Sequence, residues 1–135
     1  MSKTYVLDAS ALLDFLGTGA GADRMARLLR EADQASCPLL VSVLHWGEVF
    51  YLLWQRHGDQ SARETIDDLS RLPIRILAVD LAQALRAGEL KARHKIPYVD
   101  CLAAALAELQ SATLVTADSD FEKLGRQFPI LWLPR

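Results

Sequence analysis

Short apolar runs alternate with longer amphipathic stretches along this chain. "TYVLD" at residues 4–8 has the length and apolar character of a buried strand, as do "CPLLVSV", "IRILAV", "TLVTAD" and "ILWLP" further on. Pro38 stands at the start of the second run, where a missing N–H is tolerated. Between the runs, apolar residues recur at helical spacing. "ASALLDFL" follows the first strand. Met25, Leu28, Leu29 and Ala32 then form one stripe, with Arg24, Arg27 and Arg30 off it. "LHWGEVFYLLWQRHG" starts after Ser42 and stops at Gly58. A further helix over 59–72 ends at Pro73. Asp80 is placed to cap a helix over 81–95, whose end carries Lys91, Arg93, His94 and Lys95 toward the negative pole of its dipole. Pro97 interrupts the pattern, "YVDCLAAALAELQ" resumes it, and a short helix over 120–127 precedes the last strand. "GTGAGAD" follows a helix instead of a strand and matches no phosphate-loop spacing. It is expected to be a flexible connection, with Asp23 capping the next helix.

Strands alternating with helices imply parallel pairing, right-handed crossovers and helices on both faces of the sheet. The expected class is α/β, a three-layer α/β/α sandwich with a mostly parallel central sheet, as one domain over residues 1–135. A chain of 135 residues buries about two-thirds of the surface its unfolded form exposes. The first ten residues hold too short an apolar run for a signal peptide, and no segment approaches the roughly 20 apolar residues that span a bilayer. The protein is therefore expected to be cytoplasmic, with no membrane association. Cys37 and Cys101 lack metal-type spacing and read as small core residues.

The chemistry to be explained lies in the acids. In an α/β fold, ligands bind beyond the carboxyl ends of the strands, where strand order reverses. Asp8 ends the first strand and Asp118 the fourth. Glu48 sits inside the apolar "HWGEVFYLLW", and Asp100 lies in the first turn of "YVDCLAAALA". Each is also open to a simpler reading: Asp8 and Asp118 as helix caps, Asp100 as a charge at the positive end of its helix, Glu48 as an exposed helix residue. Their joint occurrence at compatible ends of one sheet favours a shared site. Four or five converging carboxylates cannot all stay ionised without a counter-charge, and hard oxygen ligands in that number suit Mg²⁺ or Mn²⁺. The net charge of −2 does not exclude a nucleic-acid partner. With five of the 17 acids drawn into one site, 12 remain against 15 basic residues.

The stretches "VLDASALL", "GEVFY", "YVDCLAAALA" and "LVTADSDFEKL" stand in the order and approximate spacing of the PIN-domain ribonucleases, and the chain resembles above all the toxins of VapBC toxin–antitoxin pairs. The resemblance implies Asp8, Glu48, Asp100 and Asp118 as the catalytic set, with Asp8, Asp100 and Asp118 nearest the metal. Ser10, Thr116 and Asp120 would support them, Ser10 as the hydroxyl that orients the first carboxylate or a water. It also implies an RNA substrate, a cognate antitoxin, a homodimer, and products with a 5′-phosphate and a 3′-hydroxyl. Cys101 stands where the family usually has a smaller residue such as Ala.

The expected reaction is hydrolysis of RNA by metal-activated water, with Glu48 either ligating through water or accepting the nucleophile's proton. Two readings remain beside it: a PIN-like binding or scaffolding module without cleavage, and DNA cleavage by the same chemistry. A histidine-based ribonuclease is disfavoured because His45, His57 and His94 fall on three different expected helices, each read as a surface or helix-end residue. A D-x-D phosphatase would need an acid where Ser10 stands. Arg24, Arg27, Arg30, Arg86, Lys91, Arg93 and Lys95 are candidates for an RNA path or for solvated helix faces. Trp46, Phe50, Tyr51 and Trp54 read as core and interface, with their exposed remainder a candidate groove for an antitoxin segment.

Overall fold

The computed structural model describes residues 3–134. Five strands form its sheet: β1 (Tyr5–Leu7), β2 (Leu39–Ser42), β3 (Ile74–Leu77), β4 (Thr113–Thr116) and β5 (Ile130–Trp132). They are all parallel, in the order β3-β2-β1-β4-β5. The chain builds outward from β1 to β3, then returns to place β4 on the other side of β1. Strand order therefore reverses between β1 and β4, where Leu7 is in register with Val115.

Alternation along each strand divides the core into two layers. Leu7, Leu39, Val41 and Val115 face helices α1 (Ala9–Phe15), α2 (Ala20–Gln34), α3 (Val43–His57) and α4 (Asp59–Leu69). Val6, Leu40 and Leu114 face α5 (Leu81–Arg93) and α6 (Tyr98–Leu109). This period of two is the sequence cause of the three-layer sandwich. Every residue of α6 from Cys101 to Ala107 is buried, and its four alanines let the helix lie close against the sheet. The helix starts are capped as their residue types direct. Ser42 Oγ accepts the Leu44 N–H at 3.4 Å, and Asp80 Oδ1 accepts the Gln83 N–H at 2.8 Å. Gly58, at φ 88°, ends α3 and turns the chain directly into α4.

The glycine-rich stretch differs from its expected form. α2 begins at Ala20 with Gly19 at its cap, so Gly21, Ala22 and Asp23 are helical and Asp23 is a first-turn acid, not the cap. Tertiary packing explains the glycine: a Cβ at Gly21 would lie 2.5 Å from Asp14 Oδ2. α4 and α5 end two or three residues earlier than expected, and the turn after β4 is a 3-10 helix, Ser119–Leu124. Cys101 is buried and Cys37 half-buried, both as free thiols. Among the described residues no helix is long and apolar enough to cross a membrane.

His45 also departs from the expected surface position. It is 1% exposed, because the start of α3 packs under α6, and neither ring nitrogen has a hydrogen-bond partner among the described residues. Burial pushes its pKa down to about 4, against a weaker pull from the Val99 backbone, whose geometry falls short of a hydrogen bond. The folded state thus holds His45 neutral while the unfolded chain protonates it near pH 6.5. The stability this confers is complete above pH 6.5 and is lost as pH falls toward 4. His45→Leu is expected to stabilise the fold at pH 7 by about 1 kcal/mol, since it removes a desolvated polar ring at similar volume. Its advantage over the wild type is expected to widen on acidification by on the order of 3 kcal/mol. Urea denaturation of both proteins at pH 7 and pH 4.5 measures this. An advantage that stays constant with pH would show that His45 does not titrate in this way.

Candidate active site

The reversal of strand order sets the position of the first two acids. Asp8 follows β1 and Thr116 ends β4, so parallel register puts them side by side, with the Asp8 N–H donating to the Val115 carbonyl. Asp8 is 3% exposed, and its carboxylate is fixed from three directions. Ser10 Oγ donates to Oδ1 at 2.7 Å, the Ala11 N–H donates to Oδ1 at 2.9 Å, and the Thr116 hydroxyl donates to Oδ2. Two further bonds lock the exits of the two strands together. The Ala117 N–H donates to Ser10 Oγ at 2.9 Å, and the Asp118 N–H donates to Thr116 Oγ1 at 3.0 Å. A two-residue spacing on each strand exit, Asp8 with Ser10 and Thr116 with Asp118, thus becomes one hydroxyl–carboxylate network.

Asp118 and Asp120 emerge into the 3-10 turn. Asp118 is extended, at φ −89° and ψ 115°, and its Oδ1 accepts the Asp120 N–H at 2.9 Å. Helix capping is therefore real at both Asp8 and Asp118, and it coexists with a shared site. Asp100 enters from the first turn of α6. One carboxylate oxygen each from Asp100, Asp118 and Asp120 lies within 4.8 Å of the others. Asp8 and Glu48 fall outside that tight trio, yet both are close enough to perturb it.

The perturbations record the crowding. Asp100 is pushed up to about 7, first by burial and then by Asp118, Asp8, Glu48 and Asp120. Glu48 is raised by burial, Asp8 and Asp118, and Asp8 is raised mainly by burial, against the bonds from Thr116, Ser10 and Ala11. Like charges that raise one another's proton affinity need a cation or protons to coexist. Every donor here is a carboxylate oxygen, which suits a hard divalent cation bound through several oxygens with waters completing its shell. Asp120, read from sequence as an outer support, stands in the trio itself, because the 3-10 turn folds positions 118 and 120 to the same side.

Thr116 matters more than its residue type suggests. Thr116→Val is expected to leave Asp8 Oδ2 and the Asp118 N–H without a partner, costing about 1–3 kcal/mol of stability. Ser10→Ala is expected to cost less, since that side chain is part-exposed. Denaturant titrations rank the two. Equal, negligible losses would mean that the network does not hold Asp8.

The PIN domain family matches residues 5–127. The chain belongs to the PIN domain family. Solved structures share this PIN fold end to end at low sequence identity. A toxin–antitoxin complex from Klebsiella pneumoniae is 21% identical with a TM-score of 0.65, the match covering 97% of this chain and 98% of that one. A DNA-bound VapBC of Salmonella typhimurium is 13% identical with a TM-score of 0.77, covering 98% and 100%. A sarcin–ricin loop cleaving toxin of Mycobacterium tuberculosis is 22% identical with a TM-score of 0.69, covering 90% and 95%. No curated protein matches the chain.

Of the cations expected along an RNA path, Arg86 is engaged internally, bridging to Glu108 at 3.0 Å and Glu89 at 3.3 Å. Arg27, Arg30, Lys91, Arg93 and Lys95 are exposed. Lys123, which sequence reading passed over, is the one described cation within 4.0 Å of any of the five acids.

Proposed function

We propose that this PIN domain is a Mg²⁺- or Mn²⁺-dependent endoribonuclease and the toxin of a cytoplasmic toxin–antitoxin pair. The observation that carries the reading is the convergence of Asp8, Glu48, Asp100, Asp118 and Asp120 at the reversal of strand order, with Asp100 raised to about 7 by its neighbours. Asp100, Asp118 and Asp120 would hold the cation through a carboxylate oxygen each, with Asp8 held rigidly beside them. When bound, a divalent cation supplies neutralisation of the phosphate's charge and a lowered pKa for a coordinated water.

The chain's own groups divide the remaining work. Asp8, locked by Ser10, Thr116 and Ala11, fixes the geometry of the site floor. Glu48, raised by burial and by its acidic neighbours, is the group suited to accept a proton from the attacking water. Attack by water leaves the RNA 2′-hydroxyl a spectator and yields a 5′-phosphate and a 3′-hydroxyl.

The partner assignments follow from surfaces. Trp46, Phe50, Arg63 and Ile66 line a groove between α3 and α4. There the Arg63 guanidinium lies 5.6 Å from the Phe50 ring centre and 5.3 Å from that of Trp54. An apolar antitoxin helix fits such a groove, and several solved relatives of this fold are toxin–antitoxin complexes. A homodimer would need apolar surface, which exposed Val43 and Leu44 at the start of α3 and exposed Leu81 and Leu85 on α5 offer.

The test is incubation of total RNA, and of matched single-stranded DNA, with and without Mg²⁺ or Mn²⁺, followed by ligation chemistry that reads the new ends. Metal-dependent cleavage of RNA to 5′-phosphate ends is expected. Wild-type protein that binds Mn²⁺ but cuts only DNA would move the substrate assignment. Protein that neither binds Mn²⁺ nor cuts any RNA would leave a PIN-like scaffold.

A further inference from the structure

Five acids make the site hostile to the polyanion it is proposed to cut. If all ionise, even two divalent ions leave a residual negative charge, so a nucleic-acid strand needs positive charge at the rim. Lys123 is the described cation that meets this need by position. It closes the 3-10 helix after Asp118, and its ammonium donates to the Lys95 carbonyl at 2.8 Å while lying 4.0 Å from Asp120 Oδ1. Its aliphatic stem therefore bridges the α5–α6 connection and the acid-bearing turn, with the charged end beside the Asp100–Asp118–Asp120 trio. The side chain is 50% exposed and Asp120 44%, so the ammonium is open to a ligand arriving from solvent. Arg93 and Lys95 on the same connection are exposed and form no ion pair within 4.0 Å among the described residues. By contrast Arg63 and Arg71 are paired with acids of α4, and Arg86 is tied to Glu108 and Glu89.

We propose that Lys123 is a substrate-positioning residue, its ammonium docking a phosphate that flanks the scissile bond so that the RNA strand enters over the lip formed by the α5–α6 connection and the 3-10 helix. This rests on the nuclease reading above and adds the side of the site from which the strand comes. Phosphate contacts of this kind fix register without reading sequence. The role therefore does not depend on which RNA is cut.

The experiment measures binding of a fluorescein-labelled pool of random-sequence single-stranded RNA by anisotropy. Ca²⁺ is present as the divalent ion, and wild type, Lys123→Gln, Lys123→Arg and Arg71→Gln are compared across a salt series. Lys123→Gln is expected to weaken binding about 5–10-fold and to make the slope of log affinity against log salt shallower by about 0.7, the signature of one lost phosphate contact on a single strand. Lys123→Arg is expected to restore most of both, and Arg71→Gln, just before β3 at the other end of the parallel sheet from the acids, to change neither. Calorimetric Mn²⁺ affinity is expected to be no weaker for Lys123→Gln than for wild type, since a cation 4.0 Å from Asp120 Oδ1 has been removed. Unchanged RNA affinity and salt slope in Lys123→Gln would overturn the inference, as would a loss in Arg71→Gln instead. A loss of Mn²⁺ affinity alongside RNA affinity would also overturn it, since Lys123 would then be shaping the acid site. Failure of the nuclease reading itself shows separately, as wild-type protein without Mn²⁺ binding or RNA cleavage.

Discussion

Asp100→Asn is expected to reduce RNA cleavage by at least about 10³-fold, because several kcal/mol of charge stabilisation would depend on the cation that this carboxylate is proposed to hold. The same substitution is expected to stabilise the metal-free protein. Asp100 is raised to about 7 by burial and by four acidic neighbours, so at pH 8 the wild type carries it ionised among like charges. Removing that charge relieves the repulsion. Asp100 is not deeply buried, so solvent screening limits the gain to about 1 kcal/mol. The combination is diagnostic, since a purely structural carboxylate gives a loss of stability and a scaffold shows no activity to lose. Urea denaturation in EDTA at pH 8, paired with cleavage assays in Mn²⁺, measures both. A variant less stable than the wild type would mean that Asp100 has a stabilising partner and is not under strain.

Metal is expected to relieve the same repulsion in the wild type and so to stabilise it, but fully only above a certain pH. At a Mn²⁺ concentration about 100 times its Kd, stability is expected to rise by about 2.7 kcal/mol, or about 10 °C in Tm for a chain of this size. The folded pKa of Asp100 is raised, so in the metal-free protein its contribution to stability is complete below pH 3.8 and is lost as pH climbs through about 7. Below about pH 7, Mn²⁺ must displace the Asp100 proton. The Tm gain is therefore expected to be full at pH 8 and to shrink steeply by pH 5. Thermal scans at fixed Mn²⁺ across pH 5–8 give the profile. A gain independent of pH would mean that the ion binds elsewhere.

Much of the fold was legible in the sequence because apolar runs and helical stripes followed their periods closely. The five strands, the caps at Ser42 and Asp80 and the stop at Gly58 all rest on local chemistry, and each stands near its expected place. What escaped was set by contacts distant in sequence. Gly21 lies inside α2 with the Asp14 side chain of α1 against it where a Cβ would stand, a closeness that no local pattern encodes. His45 looked like a surface residue until the start of α3 was found packed under α6. In the acid site, the end-of-strand positions of Asp8 and Asp118 were readable from the run lengths alone. The place of Asp120 beside Asp100 and Asp118 was not, because it depends on the 3-10 turn that opens with the Asp120 N–H bonded to Asp118 Oδ1 and on α6 carrying Asp100 to the same spot. Lys123 was overlooked for a similar reason: its meaning comes from the Lys95 carbonyl, 28 residues away.

The most direct test is anomalous diffraction from crystals of the wild-type protein soaked in Mn²⁺. A peak is expected between Asp100, Asp118 and Asp120, with carboxylate oxygens about 2.0–2.2 Å from it and Asp8 beside it. An anomalous map without a peak there at millimolar Mn²⁺, in a lattice that leaves the strand exits open, would contradict the claim that these acids converge to hold a metal.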